Sequence, residues 1–261
     1  MLRPLSLGLI LSLSSVTSLA PAQSKQQSEV LIGAAISLQP ALEEIKAGLK
    51  AEKDLPEIRF NFASSGALQQ QIEQGAPLDI FIAAGEEPMQ RLESKALIDQ
   101  ASRAPLLGNT LVLAAPAGNS RNLKDLSELK AAAFKKIALG DPKTVPAGQY
   151  AKDALDHAKL KETLQPKLVY GSNVKQVLTY VESGDVDAGF VYASDIKNNP
   201  KVKSLFEVPS SMHRPIVYPA ALVKASKQSE AARRLLKELR SEKSRAVFEK
   251  YGFLSVAQPA G

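Results

Sequence analysis

Short apolar runs alternate with segments of helical periodicity along most of the chain. The run 30–35 has no polar alternation, which is typical of a strand buried on both faces of a sheet. Helical spacing follows at once, with Leu38, Leu42, Ile45 and Leu49 on one face. The same signals predict further strands at 58–63, 78–84, 110–115, 136–139, 168–170, 188–192 and 216–224.

Helices are predicted between these strands from their polar caps and glycine ends. They are expected from Ser64 and Ser65 to Gly75, then at 86–95, 123–134 and 147–157, from Ser172 and Asn173 to Gly184, and from a Ser229 cap to about Gly252. The repeated strand-then-helix order predicts an α/β protein with parallel sheets covered by helices. No linker-like composition interrupts the 261 residues, so two lobes are expected, with the chain crossing between them more than once.

The first residues have the pattern of a secretory signal peptide. Arg3 precedes an uncharged, Leu- and Ser-rich stretch at 5–19, and Ala20-Pro21-Ala22 matches an A-x-A cleavage site. We therefore expect a signal peptide at 1–22, cleavage near Ala22 and a periplasmic mature protein. The apolar stretch is too short for a stable membrane span.

Composition and charge narrow the function classes. The chain is 44% hydrophobic and 23% charged, as expected of a soluble globular protein. It has no cysteine, which excludes disulfides, thiolate zinc sites, a cysteine nucleophile and a lipid anchor on cysteine. The net charge of +6 is spread along the chain, and the densest basic stretch, 233–245, also holds Glu238 and Glu242. We therefore expect a solvated helix face and no nucleic-acid partner.

Four predicted strand-to-helix junctions are suited to an anion. They are 34–37, 62–66, 141–148 and 170–174, all rich in small residues that let an ion approach the backbone. Each offers free N–H groups and roughly half a positive charge at a helix N-terminus. Together they would supply about two positive charges, which matches a dianion.

Catalytic motifs are weak or missing. Ser-x-x-Lys occurs three times, starting at Ser127, Ser172 and Ser194, which shows how little that pattern specifies. Gly-x-Ser-x-Gly, His-Glu-x-x-His and a P-loop do not occur, and His157 and His213 are expected at the surface. A binding protein is favoured over an enzyme, with an exported hydrolase as the alternative.

A set of ordered motifs carries a family resemblance from about Val30 to Phe253. They are Phe62-Ala-Ser-Ser-Gly-Ala-Leu, Gln71-Ile-Glu-Gln-Gly-Ala-Pro-Leu-Asp-Ile-Phe-Ile, Leu106-Leu-Gly-Asn, Gly140-Asp-Pro, Val145-Pro-Ala-Gly-Gln-Tyr-Ala-Lys, Gly189-Phe-Val-Tyr-Ala-Ser-Asp and Lys250-Tyr-Gly-Phe. The chain resembles the periplasmic molybdate-binding proteins of ABC transporters. The resemblance implies a type II periplasmic binding protein fold, with two α/β lobes joined by a hinge and the ligand in the interlobe cleft. The expected lobes are 23–108 plus 217–261, and 109–216.

The resemblance also implies an oxyanion site. The hydroxyls of Ser37, Ser65 and Tyr192 and the amides of Ala147 and Val174 are the expected ligands. Molybdenum would be bound only as the oxyanion through these residues, and no cofactor is expected. Tyr192 is identified by the resemblance alone. The chain departs from the family in having Ile36 before Ser37, where a smaller residue is usual, and this narrows the expected cleft.

The expected function is binding of molybdate, and of tungstate, for delivery to the membrane permease of an ABC transporter by a monomer. All five groups are donors, which suits a fully ionised oxyanion and disfavours hydrogen phosphate. Sulfate is left open by this argument. A ferric-ion binder would favour anionic oxygen ligands such as paired tyrosines, and a regulatory effector domain would carry a helix-turn-helix; neither pattern occurs.

Overall fold

The computed structural model describes residues 28–50, 52 and 54–256. The expected signal peptide and its cleavage site lie outside the described residues. In the described part of the chain, no helix is both long enough and apolar enough to cross a membrane.

Two five-stranded sheets organise the molecule, each in its own α/β lobe. The first has the strand order β2-β1-β3-β10-β4. Its lobe contains β1 (Glu29–Ala35), α1 (Gln39–Leu49), β2 (Glu57–Ala63), α2 (Ser65–Glu73), β3 (Ile80–Ile82), α3 (Glu86–Ser94), β4 (Ala104–Gly108), β10 (Val217–Leu222), α8 (Ser229–Leu239) and α9 (Glu242–Lys250).

The second sheet has the strand order β7-β6-β8-β5-β9. Its lobe contains β5 (Leu111–Pro116), β6 (Ile137–Gly140), α4 (Pro146–His157), α5 (Lys161–Leu164), β7 (Leu168–Gly171), α6 (Val174–Ser183), β8 (Ala188–Tyr192), α7 (Ala193–Ile196) and β9 (Val202–Glu207). The chain passes between the sheets twice, once from β4 to β5 and once from β9 to β10. Two lobes connected in this way confirm the predicted fold class.

The expectation of parallel sheets is only partly right, because both sheets are mixed. β1 pairs in parallel with β2 and β3, and β6 pairs in parallel with β7 and β8. β10 runs antiparallel to β3 and β4, and β5 runs antiparallel to β8 and β9. β5 and β10 are the strands by which the chain enters each sheet from the other lobe, β5 after β4 and β10 after β9.

Two edge strands and one helix differ from the sequence prediction, which also lacks the short helices α5 and α7. β4 and β9 were not predicted, because Pro105 interrupts the first and polar residues the second; such residues are tolerated at sheet edges. The helix predicted at 123–134 is a short 3₁₀ helix, Leu126–Lys130. Its buried residues Leu126 and Leu129 are three apart, which is the 3₁₀ period.

The predicted caps are found at both ends of α6, whereas the serines predicted to cap α2 and α8 make no side-chain cap. Asn173 caps α6 by accepting from the Gln176 N–H (2.9 Å), and Gly184 ends it in the left-handed region (φ 75°). Ser229 is not a cap, since it is the first residue of α8 and Gln228 precedes it without a side-chain cap. The final helical stretch is also two helices, and Ser241 caps the second, α9.

The predicted apolar faces are buried as expected. In α1 the inner face is Leu42, Ile45 and Leu49, and in α6 it is Val177, Leu178 and Val181, all under 6% exposed. Packing these faces on the sheets places the helix N-termini at the carboxyl ends of the parallel strands, facing the cleft.

Candidate functional site

Four helical N-termini meet at one cavity between the lobes. The ends of β1 and β2 are aligned, with Ala35 opposite Ala63, so the helical turns that follow begin side by side. The ends of β6 and β7 are aligned in the same way, with Gly140 opposite Gly171. The starts of α2, α4 and α6 and of the 3₁₀ helix Ile36–Leu38 therefore border one space.

The cavity wall is uncharged. The lining residues are Ala35, Ile36, Ser37, Ala63, Ser64, Ser65, Ala84, Val145, Pro146, Ala147, Val174 and Tyr192. The cavity volume is about 10 Å³, which is room for about one water-sized group. A larger organic solute is therefore excluded from this arrangement of the lobes. Positive potential at the wall comes from helix termini and not from lysine or arginine.

The Ser65 hydroxyl is held from behind by a backbone donor. Ser65 is the first residue of α2 and is 1% exposed. Its Oγ accepts a hydrogen bond from the Ala84 N–H (2.9 Å). Because that bond uses a lone pair of the oxygen, the hydroxyl proton is left to donate elsewhere, and the cavity adjoins it. The hydroxyl is thus available to donate to the cavity, and the side chain does not cap its own helix.

The Ser37 hydroxyl lies within hydrogen-bond distance of a tyrosine hydroxyl that does not line the cavity. Ser37 follows β1 in the 3₁₀ helix Ile36–Leu38 and is 7% exposed. Its Oγ lies 3.0 Å from Tyr218 Oη, which belongs to β10. Tyr218 is fully buried and does not line the cavity. Sequence reasoning did not identify it, because the contact joins residues 181 positions apart.

Two tyrosines from the second lobe reach one carbonyl of the first. Tyr192 Oη and Tyr150 Oη both lie 3.4 Å from the Ala84 carbonyl oxygen, as donors. Burial raises the pKa of both phenols well above their usual value, so each keeps its one proton, which points at the Ala84 carbonyl here and would have to turn to be donated to an anion. Tyr192, at the end of β8, lines the cavity, whereas Tyr150 is set back from it.

Backbone amides complete the wall. Ser65, Ala147 and Val174 stand in the first turns of α2, α4 and α6, where an N–H has no partner within its own helix. The α4 start reaches the cavity because Gly148 packs against the end of β6. A Cβ on Gly148 would lie 1.9 Å from the Gly140 carbonyl oxygen, so only glycine allows this approach.

The lobes touch across the cleft beside the cavity. The Gly66 N–H donates to the Thr144 carbonyl oxygen at 3.0 Å. Gln149 Nε2 donates to Glu87 Oε2 at 2.6 Å. These bonds join α2 and α3 of the first lobe to the start of α4 and its preceding turn in the second. The structure therefore shows the closed arrangement of the cleft.

All five residues expected at the site lie on the wall of this one cavity: Ser37, Ser65, Ala147, Val174 and Tyr192. Their contact with a bound ion stays a prediction. Sequence reasoning missed Ala84, whose N–H and carbonyl hold Ser65 and the tyrosines. The strand at 78–84 was predicted from the sequence. Only the fold shows that its last residue, Ala84, lies at the same cavity as the four strand-to-helix junctions. Ile36 also lies on the wall.

One carboxyl lies beside the site without lining it. Asp195 Oδ2, in the first turn of α7, accepts from the Tyr192 N–H at 2.9 Å. Burial raises the pKa of this carboxyl to about 7, against the lowering effects of that hydrogen bond and of the Lys175 cation. Since its ordinary value is 3.8, the folded chain holds the proton more tightly than the unfolded chain does.

Asp195→Asn should therefore stabilise the protein in a pH-dependent way. Between about pH 4 and pH 7 the stability contributed by Asp195 falls as pH rises, because the folded state must give up a proton that it holds tightly. The amide keeps an acceptor for the Tyr192 N–H and removes the buried charge. We expect a melting temperature a few degrees above wild type at pH 8 and no gain at pH 4, measured by scanning calorimetry. Exposed Asp54→Asn is the control; an equal gain at both pH values would contradict the prediction.

Comparison with known proteins agrees with this geometry. Residues 30–254 match the family model described as bacterial extracellular solute-binding protein. The chain belongs to this solute-binding family. The molybdate-binding protein ModA of Haemophilus influenzae is 36% identical over 228 residues, which cover 86% of this chain and 89% of that protein.

Solved structures of solute-binding proteins share the fold. The periplasmic molybdate-binding protein of Azotobacter vinelandii superposes with a TM-score of 0.79 at 21% identity, covering 87% of this chain and all of that one. The sulfate-binding protein SubI of Mycobacterium tuberculosis gives a TM-score of 0.75 at 14% identity, covering 87% and 86%. At such identities the likeness establishes the fold, and the ligand has to be argued from the cavity.

Proposed function

We propose that this solute-binding protein captures a tetrahedral oxyanion, molybdate and also tungstate, and delivers it to the permease of an ABC transporter. The main supporting observation is a small uncharged cavity at which four helical N-termini converge, together with the hydroxyl residues Ser37, Ser64, Ser65 and Tyr192. Such a wall offers a dianion hydrogen-bond donors and about two positive charges from the helix ends. The ligand name draws support from the 36% identical molybdate-binding relative.

The proposed ligands are Ser37, Ser65 and Tyr192 through their hydroxyls and Ala147 and Val174 through their amides. No carboxylate belongs to the cavity wall, so a proton on hydrogen phosphate would find no charged acceptor there. The two serines are also poorly placed as nucleophiles. Their partners in the described part of the chain, a tyrosine hydroxyl and a backbone N–H, are not bases that would activate them.

The proposed working cycle is hinge closure around the ion in the periplasm. We place the first lobe at 23–108 plus 217–261 and the second at 109–216, with the hinge at the two crossings. The division is supported by the strands of the two sheets. The mature protein would begin near Gln23 and act as a monomer. Ligand release to the permease would require the contacts between Gly66 and Thr144 and between Glu87 and Gln149 to open.

A thermal-shift panel on residues 23–261 tests the proposed function. Molybdate and tungstate at a hundred times their dissociation constants should stabilise the protein by about 2.7 kcal/mol, and phosphate at the same concentration should stabilise it far less. Sulfate is the informative competitor, because it too is fully ionised. A larger shift with sulfate than with molybdate would replace the proposed ligand, and no shift with any oxyanion would refute the function.

Ser65→Ala should weaken molybdate binding by about ten- to a hundredfold, since a hydrogen bond to a charged partner is worth roughly 1.5–3 kcal/mol. The amides and other hydroxyls remain, so binding is reduced and not lost. Titration calorimetry measures the change. Ser241→Ala, which removes the cap of α9 far from the cavity, is the matched control. Equal affinity in both variants would exclude Ser65 from the site.

A further inference from the structure

A chain of buried hydrogen bonds runs behind the cavity wall to the Ser37 hydroxyl. Asn109 Nδ2 lies 3.2 Å from Tyr218 Oη, and Tyr218 Oη lies 3.0 Å from Ser37 Oγ. Asn109 is 7% exposed and Tyr218 is fully buried. Neither residue lines the cavity, so neither is placed to touch an ion directly.

The backbone sets the direction of this series of hydrogen bonds at Asn109, the end farther from Ser37. The Thr110 N–H donates to Asn109 Oδ1 at 2.9 Å. A main-chain N–H can only donate, so the atom it faces must be the amide oxygen and not the amide nitrogen. The nitrogen consequently faces Tyr218, and it also donates to Ser194 Oγ at 2.8 Å. Since an amide nitrogen only donates, the Tyr218 oxygen accepts.

The same direction then passes to Ser37. With its oxygen accepting from Asn109, Tyr218 keeps its proton available for Ser37 Oγ, at a contact where either oxygen can donate. When Tyr218 donates, Ser37 accepts and its own proton is left for the cavity. Ser65 has the same arrangement in shorter form, because its oxygen accepts from the Ala84 N–H. Burial raises the pKa of the Tyr218 phenol well above its usual value, so this donor keeps its proton at physiological pH.

We propose that Asn109 and Tyr218 are positioning residues that hold Ser37 as a donor to the cavity and thereby select against oxyanions that carry a proton. The inference rests on the proposed oxyanion function. A fully ionised oxyanion needs donors at every contact, and a Ser37 hydroxyl turned the other way would present a lone pair to it. Hydrogen phosphate has a proton to donate, and it would gain an acceptor from that turned hydroxyl. The selection between fully ionised and protonated oxyanions at Ser37 thus depends on Asn109 and Tyr218, which do not line the cavity.

A double-mutant cycle tests whether Tyr218 acts through Ser37. Tyr218→Phe keeps the ring and removes the hydroxyl, and titration calorimetry with molybdate gives its effect with and without Ser37→Ala. We expect about a tenfold loss of affinity in the wild-type background and less than about twofold in the Ser37→Ala background. Equal losses in both backgrounds, or no loss in either, would overturn the proposal. Apo melting curves establish that each variant is folded.

Asn109→Asp tests whether the direction of the hydrogen bonds from Asn109 through Tyr218 decides where the Ser37 proton points. A carboxylate at this position accepts from Tyr218, which should turn the Tyr218 proton away from Ser37 and the Ser37 proton away from the cavity. At pH 8 molybdate and hydrogen phosphate are both dianions, so the added charge weakens both alike and their affinity ratio isolates the turned hydroxyl. We expect the ratio to shift toward phosphate by about tenfold. An unchanged ratio would overturn only the proposed role of Asn109 and Tyr218 in directing the Ser37 proton. A wild-type protein that binds no oxyanion would overturn the proposed function, and this role with it.

Discussion

Gly66→Ala should weaken molybdate binding by about a hundredfold or more while leaving the unliganded protein folded. In the closed arrangement a Cβ at this position would lie 2.5 Å from the Thr144 carbonyl oxygen and 2.7 Å from the Thr144 Cα. Both atoms are backbone, so no side-chain rotation relieves the overlap. The lobes would have to stay apart, and an open cleft separates the donors of one lobe from those of the other.

Titration calorimetry and small-angle scattering measure this effect together. The variant should bind weakly and keep the scattering curve of the open form when molybdate is added. Gly48→Ala is the matched control, because it is also a helical glycine and its Cβ would meet nothing within 4 Å. That control should bind like wild type and gain about 0.5–1 kcal/mol of stability. Wild-type affinity in Gly66→Ala would show that the contact at Thr144 does not belong to the bound state.

Gly148→Ala should destabilise the second lobe by about 3 kcal/mol or more, because the new Cβ overlaps backbone atoms of Gly140 at 1.9–3.1 Å. The start of α4 would have to move off the end of β6, and the Ala147 amide would move with it. We expect a melting temperature about 10 °C below wild type and weaker molybdate binding in the fraction that remains folded.

Scanning calorimetry of the unliganded protein measures the first effect, and titration below the transition measures the second. Gly48→Ala again supplies the control for a helical glycine with open space around it. A Gly148→Ala variant that melts within about 2 °C of wild type would mean that α4 and β6 can separate at little cost.

The two glycines show different ways in which a small residue serves the proposed site. Gly148 lets a helix and a strand of one lobe approach closely, so its replacement acts on the folded lobe itself. Gly66 lets two lobes approach, so its replacement acts on the closed state and spares the open one. A protein that binds by closure needs both kinds of contact, and only their separate effects on stability and affinity distinguish them.

Much of the fold and of the candidate site could be predicted from local sequence signals. The apolar runs and helical spacing located most strands and helices, because burial on a sheet selects residues at short, regular intervals. The Asn173 cap and the Gly184 end were identified for the same reason, since capping depends on neighbours within four residues. The four strand-to-helix junctions were likewise marked as donor-rich, and the resemblance to molybdate-binding proteins contributed Tyr192 and the ligand.

Only the tertiary structure determined which of these segments come into contact. The antiparallel pairing of β10 with β3 in one sheet and of β5 with β8 in the other joins segments far apart in the chain. The placement of the edge strands β4 and β9 and the contact of Gly66 with Thr144 do the same. The hydrogen bond from the Ala84 N–H to Ser65 and those that link Asn109 through Tyr218 to Ser37 also join different segments of the chain. Local sequence determines which groups are donors, but the direction in which a hydroxyl donates depends on the partner behind it. That partner is supplied by packing between residues up to 181 positions apart.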